Sequence, residues 1–252
     1  MEDAVNDAVN TDGSGAAAPI LVAIDGPAGS GKSSVSRAAA EQLGFGILDT
    51  GAAYRALAWA ALESDIDLDD EVLVAELIES WGYVTTLVGE PAIEVVLPAA
   101  IGVKGHDVTD AIRDPAISGQ VSRVSKHPAV RDRLNEMFRR IVAESELPGV
   151  VIEGRDITTV VAPDAPVRIL MTASPEVRAA RRAGEMPGAD HGQVLADIIA
   201  RDAKDVLVVD FMNPAPGVTL IDTSELDFGQ SVQAVIDVVQ SAQSTAAEES
   251  EK

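Results

Sequence analysis

Eight consecutive residues carry the most explicit chemistry in this chain: Gly26-Pro27-Ala28-Gly29-Ser30-Gly31-Lys32-Ser33 fills the pattern G-x-x-x-x-G-K-[ST] in full. An apolar run, Ile20–Ile24, precedes it and a helical pattern follows, which is the strand-to-helix setting the pattern needs. Glycines let the backbone curl until successive N–H groups face one point. The helix N-terminus behind them adds about half a positive charge. Such a nest takes the phosphates of a nucleoside triphosphate, with Lys32 reaching the β and γ groups and the Ser33 hydroxyl serving as a Mg²⁺ ligand. ATP and Mg²⁺ are therefore the expected cofactors, and Ser34 is grouped with the loop as a nucleotide contact. A glycine-rich turn with a solvated lysine is the plain alternative, and the match of both pattern and context sets it aside.

What the triphosphate is used for rests on other residues. No Asn-Lys-x-Asp run is present, which weighs against a GTPase. Arginines instead recur after the expected strands and on the adjoining helices: Arg55, Arg131, Arg155, Arg178, Arg181, Arg182 and Arg201. Any one of them alone reads as a solvated surface residue. As a set they suit phosphoryl transfer, which is catalysed by positioning and by neutralising charge on the transferred group. Asp25 and Glu153 end strands beside the loop and are candidates for holding metal-bound water.

Composition narrows the setting. The 252 residues are 46% hydrophobic and only 3% aromatic, as in an Ala/Val/Leu-rich α/β protein. A formal charge of −22 opposes binding to nucleic acid or an anionic membrane. Screening beyond about 8 Å still lets a local arginine cluster hold a phosphate. There are no cysteines, so disulfides and thiolate chemistry are excluded, and His106, His127 and His191 lack metal-ligand spacing. No apolar run reaches the roughly 20 residues of a membrane span, and the acidic start has no signal-peptide pattern. A cytoplasmic monomer acting on small molecules is expected.

The elements that must position these groups follow from the hydrophobic pattern. Strands are expected at Ile20–Ile24, Phe45–Leu48, Val150–Ile152, Val167–Met171 and Val218–Ile221. Helices are expected over Lys32–Leu43, Ala52–Leu62, from Pro175, over Gln193–Lys204 and over about Gln230–Ala242. This alternation argues for parallel β-α-β units. Residues 63–149 break the rhythm with a helix at Glu71–Ser80, a hairpin of 83–88 and 92–97, and helices around Ile112–Ser125 and Pro128–Ala143. The expected organisation is a disordered tail at 1–18, a single domain at 19–242 and a disordered acidic tail at 243–252. Within that domain the core is 19–62 and 150–242, the insert 63–149 and a lid about 181–200.

Three blocks in order then resemble bacterial cytidylate kinases. The run Leu48-Asp49-Thr50-Gly51-Ala52-Ala53-Tyr54-Arg55 resembles their L-D-[ST]-G-A-x-Y-R segment, and residues 151–166 resemble their E-G-R-D-I-G-T-V-V-F-P-D-A-P segment. With the phosphate loop before and Ile221-Asp222-Thr223-Ser224 after, the similarity spans about residues 20 to 242. The resemblance implies a P-loop NTPase-type three-layer α/β core with a parallel sheet, an inserted monophosphate-binding lobe containing a small β-hairpin, and a short lid. It implies phosphorylation of CMP, and of dCMP, by ATP. Thr50, Arg55 and Arg155 would surround the acceptor phosphate. Ser122, Arg131 and Asp156 would read the cytosine edge, and Arg201 and Asp205 would hold the ribose. Lys32, Arg155 and Arg182 would be the catalytic residues, with Arg182 among the lid arginines that neutralise the γ-phosphoryl. A carboxylate such as Asp156 suits the exocyclic amine of cytosine, which uracil replaces with an acceptor.

The match has gaps. After Arg201-Asp202-Ala203-Lys204-Asp205 the family pattern expects an arginine on the acceptor phosphate, where this chain has Val208. Thr158 and Ala162 stand where the family has glycine and phenylalanine. Two rivals stay open: a kinase for another acceptor such as UMP, and a catalytically weak nucleotide-binding module that regulates a partner. Members of the family also occur joined to a GTPase, so the acidic C-terminal segment is open to reading as a linker.

Overall fold

The computed structural model describes residues 19–98, 105–184, 190–206 and 213–250. β1 (Ile20–Asp25) leads through the phosphate loop into α1 (Lys32–Leu43), followed by β2 (Gly46–Asp49) and α2 (Thr50–Glu63). After the inserted segment come β6 (Gly149–Gly154), β7 (Val167–Thr172), α7 (Pro175–Gly184), α8 (His191–Asp205), β8 (Thr219–Asp222) and α9 (Phe228–Ser250). The five strands make one parallel sheet in the order β2-β6-β1-β7-β8.

Strand residues alternate between two cores because successive side chains leave opposite faces of a sheet. Val22, Ile24, Val151, Ile169 and Met171 pack under α1 and α9, against Val35, Ala39, Val235 and Val239. Ala23, Leu48, Val150 and Ile152 face the other way, onto the alanine-rich α2 and onto Leu134 and Phe138. The sheet is thereby sandwiched between helix layers, as the strand-helix rhythm requires. Both faces of β1 are dry, so its C-terminal end is a rigid platform for the loop that follows.

The segment between α2 and β6 holds α3 (Glu71–Ser80), β3 (Gly82–Thr85), β4 (Ile93–Val96), β5 (His106–Asp107), α4 (Pro115–Ser118), α5 (Val121–Ser125) and α6 (Pro128–Ala143). β3, β4 and β5 form a small antiparallel sheet. The expected hairpin is there, shortened to Gly82–Thr85 and Ile93–Val96. The single helix expected around Ile112–Ser125 is instead broken into a 3₁₀ turn at Ala111–Arg113 and the short α4 and α5. Pro115 at the first position of α4 and Gly119 after it account for the breaks.

Two further elements depart from expectation. α9 runs to Ser250, eight residues past the expected end at Ala242. Residues 243–250 contain neither glycine nor proline and are rich in good helix formers, so nothing stops the helix. A π-helical turn spans Ile157–Val161, directly after β6, where no element was expected. Among the described residues, no helix is long and apolar enough to cross a membrane.

Candidate active site

The phosphate loop leaves β1 at Asp25 and turns back into α1 at Lys32. Its curl depends on particular glycines. A Cβ on Gly26 would sit 2.1 Å from the Met171 carbonyl oxygen, and Gly29 and Gly31 have φ of +75° and +85°, a region that side chains disfavour. No side chain caps α1. Its first N–H groups are therefore left to a ligand. Inside the loop the Ser30 hydroxyl is buried without a partner. An orphaned polar atom within a ring of amides fits a polyphosphate occupant.

Lys32 and Ser33 converge on one carboxylate. The Ser33 hydroxyl donates to Glu153 Oε1 at 2.6 Å, and Lys32 Nζ lies 3.5 Å from Glu153 Oε2. Glu153 is at the end of β6, 3% exposed. Burial pushes its carboxyl up from the ordinary range, and Lys32 pulls it back. Burial likewise pushes the Lys32 ammonium down, with Glu153 opposing. The start of α1 and the end of β6 thus bring a cation, a hydroxyl and a carboxylate to one point. Mg²⁺ prefers oxygen ligands, one or two of them carboxylates, completed by substrate phosphate and water. Ser33 and Glu153 fit that donor set; among the described residues no cluster of three or more His, Cys, Asp or Glu converges elsewhere as a metal site.

The residues expected on the acceptor side are carried by the starts and ends of neighbouring elements and by the insert. Thr50, buried at the start of α2, donates to the Glu153 carbonyl at 2.9 Å. Asp49 caps α2 by accepting from the Ala52 N–H at 2.9 Å, and its other oxygen takes Arg55 at 3.0 Å. Arg155 donates to the Gly26 carbonyl. Asp156 pairs with Arg131 of α6, so the insert is bonded to the core at this point. Burial raises the Asp156 carboxyl, Arg131 lowers it and nearby Asp25 raises it further. Ser122 lies exposed on α5, one short helix before Arg131.

Asp25, a candidate for holding metal-bound water, is hydrogen-bonded through both oxygens to the turn after β6. Its Oδ1 accepts from the Ile157 N–H at 2.7 Å, and its Oδ2 from the Thr158 N–H at 2.9 Å and the Thr158 hydroxyl at 2.6 Å. Both oxygens are committed to the first turn of the π-helix. A carboxylate there satisfies amides that the turn leaves unpaired. The consequence is a seam: Asp25 and Gly26 hold residues 155–158, and with them the side chains of Arg155 and Asp156. Thr158, read from the sequence only as a departure from glycine, supplies two of the three donors, its N–H and its hydroxyl.

The arginines of α7 divide. Arg178 and Arg181 bond to carbonyls of the phosphate loop, at Ala28 and Ser30, and Arg182 is on the exposed side of α7. Thr223, just after β8, takes Arg181 on both its hydroxyl and its carbonyl. Sequence reasoning passed over Thr223 and Asp49 as individual residues; both lie inside blocks that it had singled out. Ser34 is exposed on the first turn of α1. The side chains of Arg201 and Asp205, together with Val208 and lid residues 185–189, lie outside the described residues.

A family model described as cytidylate kinase matches residues 22–241. The cytidylate kinase of Cutibacterium acnes is 42% identical over 226 residues, covering 88% of this chain and 96% of that protein. That of Rhodococcus jostii is 43% identical over 225 residues, covering 87% and 94%. A bifunctional pantoate ligase/cytidylate kinase of a Synechococcus strain is 42% identical over 226 residues, with 87% of this chain matched to 44% of that longer protein.

Proposed function

The chain belongs to the cytidylate kinase family, and on that premise we propose that it transfers the γ-phosphoryl group of ATP to CMP, and to dCMP, giving ADP and CDP or dCDP. The observation that carries this reading is the convergence of Lys32 and Ser33 on Glu153 beside the turn that bears Arg155 and Asp156. Donor and acceptor machinery share one strand end.

The transfer is an in-line displacement. An oxygen of the acceptor phosphate forms the new bond to the γ-phosphorus, and the bond from that phosphorus to the β,γ-bridging oxygen breaks, leaving ADP. The acceptor oxygen is already ionised near neutral pH, so no general base is required. The loop amides and Lys32 hold the β- and γ-phosphates, and Arg182 reaches the γ-phosphoryl from the lid. Mg²⁺, when held through Ser33 with Glu153 nearby, supplies neutralisation of the phosphate charge. Thr50, Arg55 and Arg155 orient the acceptor phosphate. Ser122, Arg131 and Asp156 read the base, and Arg201 and Asp205 hold the ribose. The insert at 63–149 acts as the acceptor lobe and residues 181–200 as the lid that excludes water during transfer.

Selectivity for cytosine rests on Asp156. Its carboxylate accepts from the exocyclic amine, whereas uracil would present a second acceptor and leave two lone pairs facing each other. Initial rates with CMP, dCMP, UMP and AMP at saturating Mg-ATP test the assignment. CMP and dCMP are expected to lead; faster turnover of UMP or AMP overturns the base reading, and CMP binding without ADP release overturns the kinase reading.

A further inference from the structure

The phosphate loop is gripped from outside at alternate residues. Its carbonyl oxygens at Gly26, Ala28 and Ser30 accept from Arg155, Arg178 and Arg181 respectively. Arg178 is 1% exposed and has all three nitrogens engaged: Nε on the Ala173 carbonyl at 3.0 Å, Nη1 on the Ala28 carbonyl at 3.0 Å, and Nη2 with Asp202 at 2.7 Å. Arg181 places Nη1 on the Ser30 carbonyl at 2.9 Å and on the Thr223 hydroxyl at 3.0 Å, with Nη2 on the Thr223 carbonyl at 2.8 Å.

Each of these carbonyls shares a rigid peptide plane with the N–H of the next residue, and in a trans peptide the two point in opposite directions. Holding the Ala28 oxygen outward therefore aims the Gly29 N–H inward, and holding the Ser30 oxygen aims the Gly31 N–H inward. Those planes border the two positive-φ glycines of the loop, which are its softest joints. A guanidinium on the oxygen also polarises the peptide, which strengthens its N–H as a donor. Helix α7 abuts the loop closely: a Cβ on Gly29 would lie 3.1 Å from the Arg178 carbonyl oxygen.

We propose that Arg178 and Arg181 are positioning residues of the phosphate loop rather than ligands of the transferred phosphate, acting through the Ala28 and Ser30 carbonyls to hold the Gly29 and Gly31 amides ready for the β-phosphate. Asp202 is the counter-charge that fixes Arg178, and it ties α8 to the same loop. An arginine that clamps a phosphate must present its fork to that phosphate. These two present theirs to loop carbonyls and to the side chains of Asp202 and Thr223.

The proposal rests on reading Gly26–Ser33 as a triphosphate loop, and the test separates the two. Affinity for Mg-ADP and for CMP is measured by titration calorimetry on the wild type and on Arg181→Met, Arg181→Lys, Asp202→Asn and Arg178→Lys. Losing one charge-assisted bond to the loop is expected to weaken Mg-ADP by about tenfold in Arg181→Met, leave CMP within about twofold, and be partly recovered in Arg181→Lys. Asp202→Asn, isosteric with the native residue, is expected to shift Mg-ADP in the same direction. Arg181 is less buried than Arg178 and remains decisive if the Arg178 variant does not fold. Unchanged Mg-ADP affinity in a folded Arg181→Met protein, or equal losses for Mg-ADP and CMP, overturns the positioning role. Absence of Mg-ADP binding by the wild type overturns the loop reading, and the proposal with it.

Discussion

Replacing Thr158 by valine removes a single hydroxyl from the seam between the two halves of the site and keeps the shape of the side chain. Thr158 is 4% exposed, and its hydroxyl donates to Asp25 Oδ2, an oxygen whose other donor is the Thr158 N–H. No cavity is opened, so the cost is that of one hydrogen bond to a buried charged group, about 1.5–3 kcal/mol. For a chain of this size that corresponds to a fall of roughly 3–12 °C in Tm. The pH dependence carries the sign. Burial raises the Asp25 carboxyl above its ordinary range, while Thr158 and Ile157 pull it back. Between the unfolded and the raised folded value, the native state binds more protons than the unfolded state, so this group's contribution to stability falls as pH rises through that window. Valine removes a donor that favours the ionised form and moves the folded value further up. The deficit of Thr158→Val is therefore largest where Asp25 is ionised and shrinks as acid protonates it. Urea or thermal unfolding of both proteins at about pH 8 and about pH 5, reported as a difference at each pH, measures it. Because the same turn carries Arg155 and Asp156, the KM for CMP is expected to rise severalfold, with the KM for ATP little changed. A variant as stable as the wild type at about pH 8, or one whose deficit grows in acid, would refute the reasoning.

Lys32→Ala removes the ammonium paired with Glu153 at the mouth of the loop; steady-state assay is expected to show turnover reduced about 10²–10³-fold. Asp156→Asn offers an amide in place of the carboxylate and is expected to lower the ratio of CMP to UMP turnover by roughly 5- to 150-fold, the worth of about 1–3 kcal/mol of base discrimination; an unchanged ratio removes Asp156 from base reading. Val208→Arg restores the charge expected from the family pattern and is expected to raise kcat/KM for CMP by about tenfold, seen in initial rates at low CMP.

The sequence reached far into this fold where chemistry is local. Lys32–Leu43, Glu71–Ser80 and Pro128–Ala143 are helices at the expected boundaries, because glycine, aspartate and proline punctuate their starts and the apolar period runs unbroken through them. The segment around Ile112–Ser125 was harder to read: its apolar spacing suits one helix, and only the backbone limits of Pro115 and Gly119 divide it. The phosphate loop was legible because all of its ligating groups are contiguous, and Lys32, Ser33 and Glu153 meet as the strand-end argument requires.

Partners distant in the chain were not legible. Asp25 and Thr158 are both polar residues near strand ends, and nothing in their spacing says that one holds the other. The sheet order β2-β6-β1-β7-β8 makes β6 a neighbour of β1, and that adjacency lets Asp25 anchor the turn that follows β6. Arg178 and Arg181 look in sequence like any charged helix face. Packing of α7 against the loop gives them backbone carbonyls to hold. Local spacing by itself marked out the candidate phosphate nest, since an amide nest is made of consecutive residues; which side chains brace that nest was decided only by the tertiary structure, since a hydrogen bond's partner depends on what the fold brings within about 3 Å.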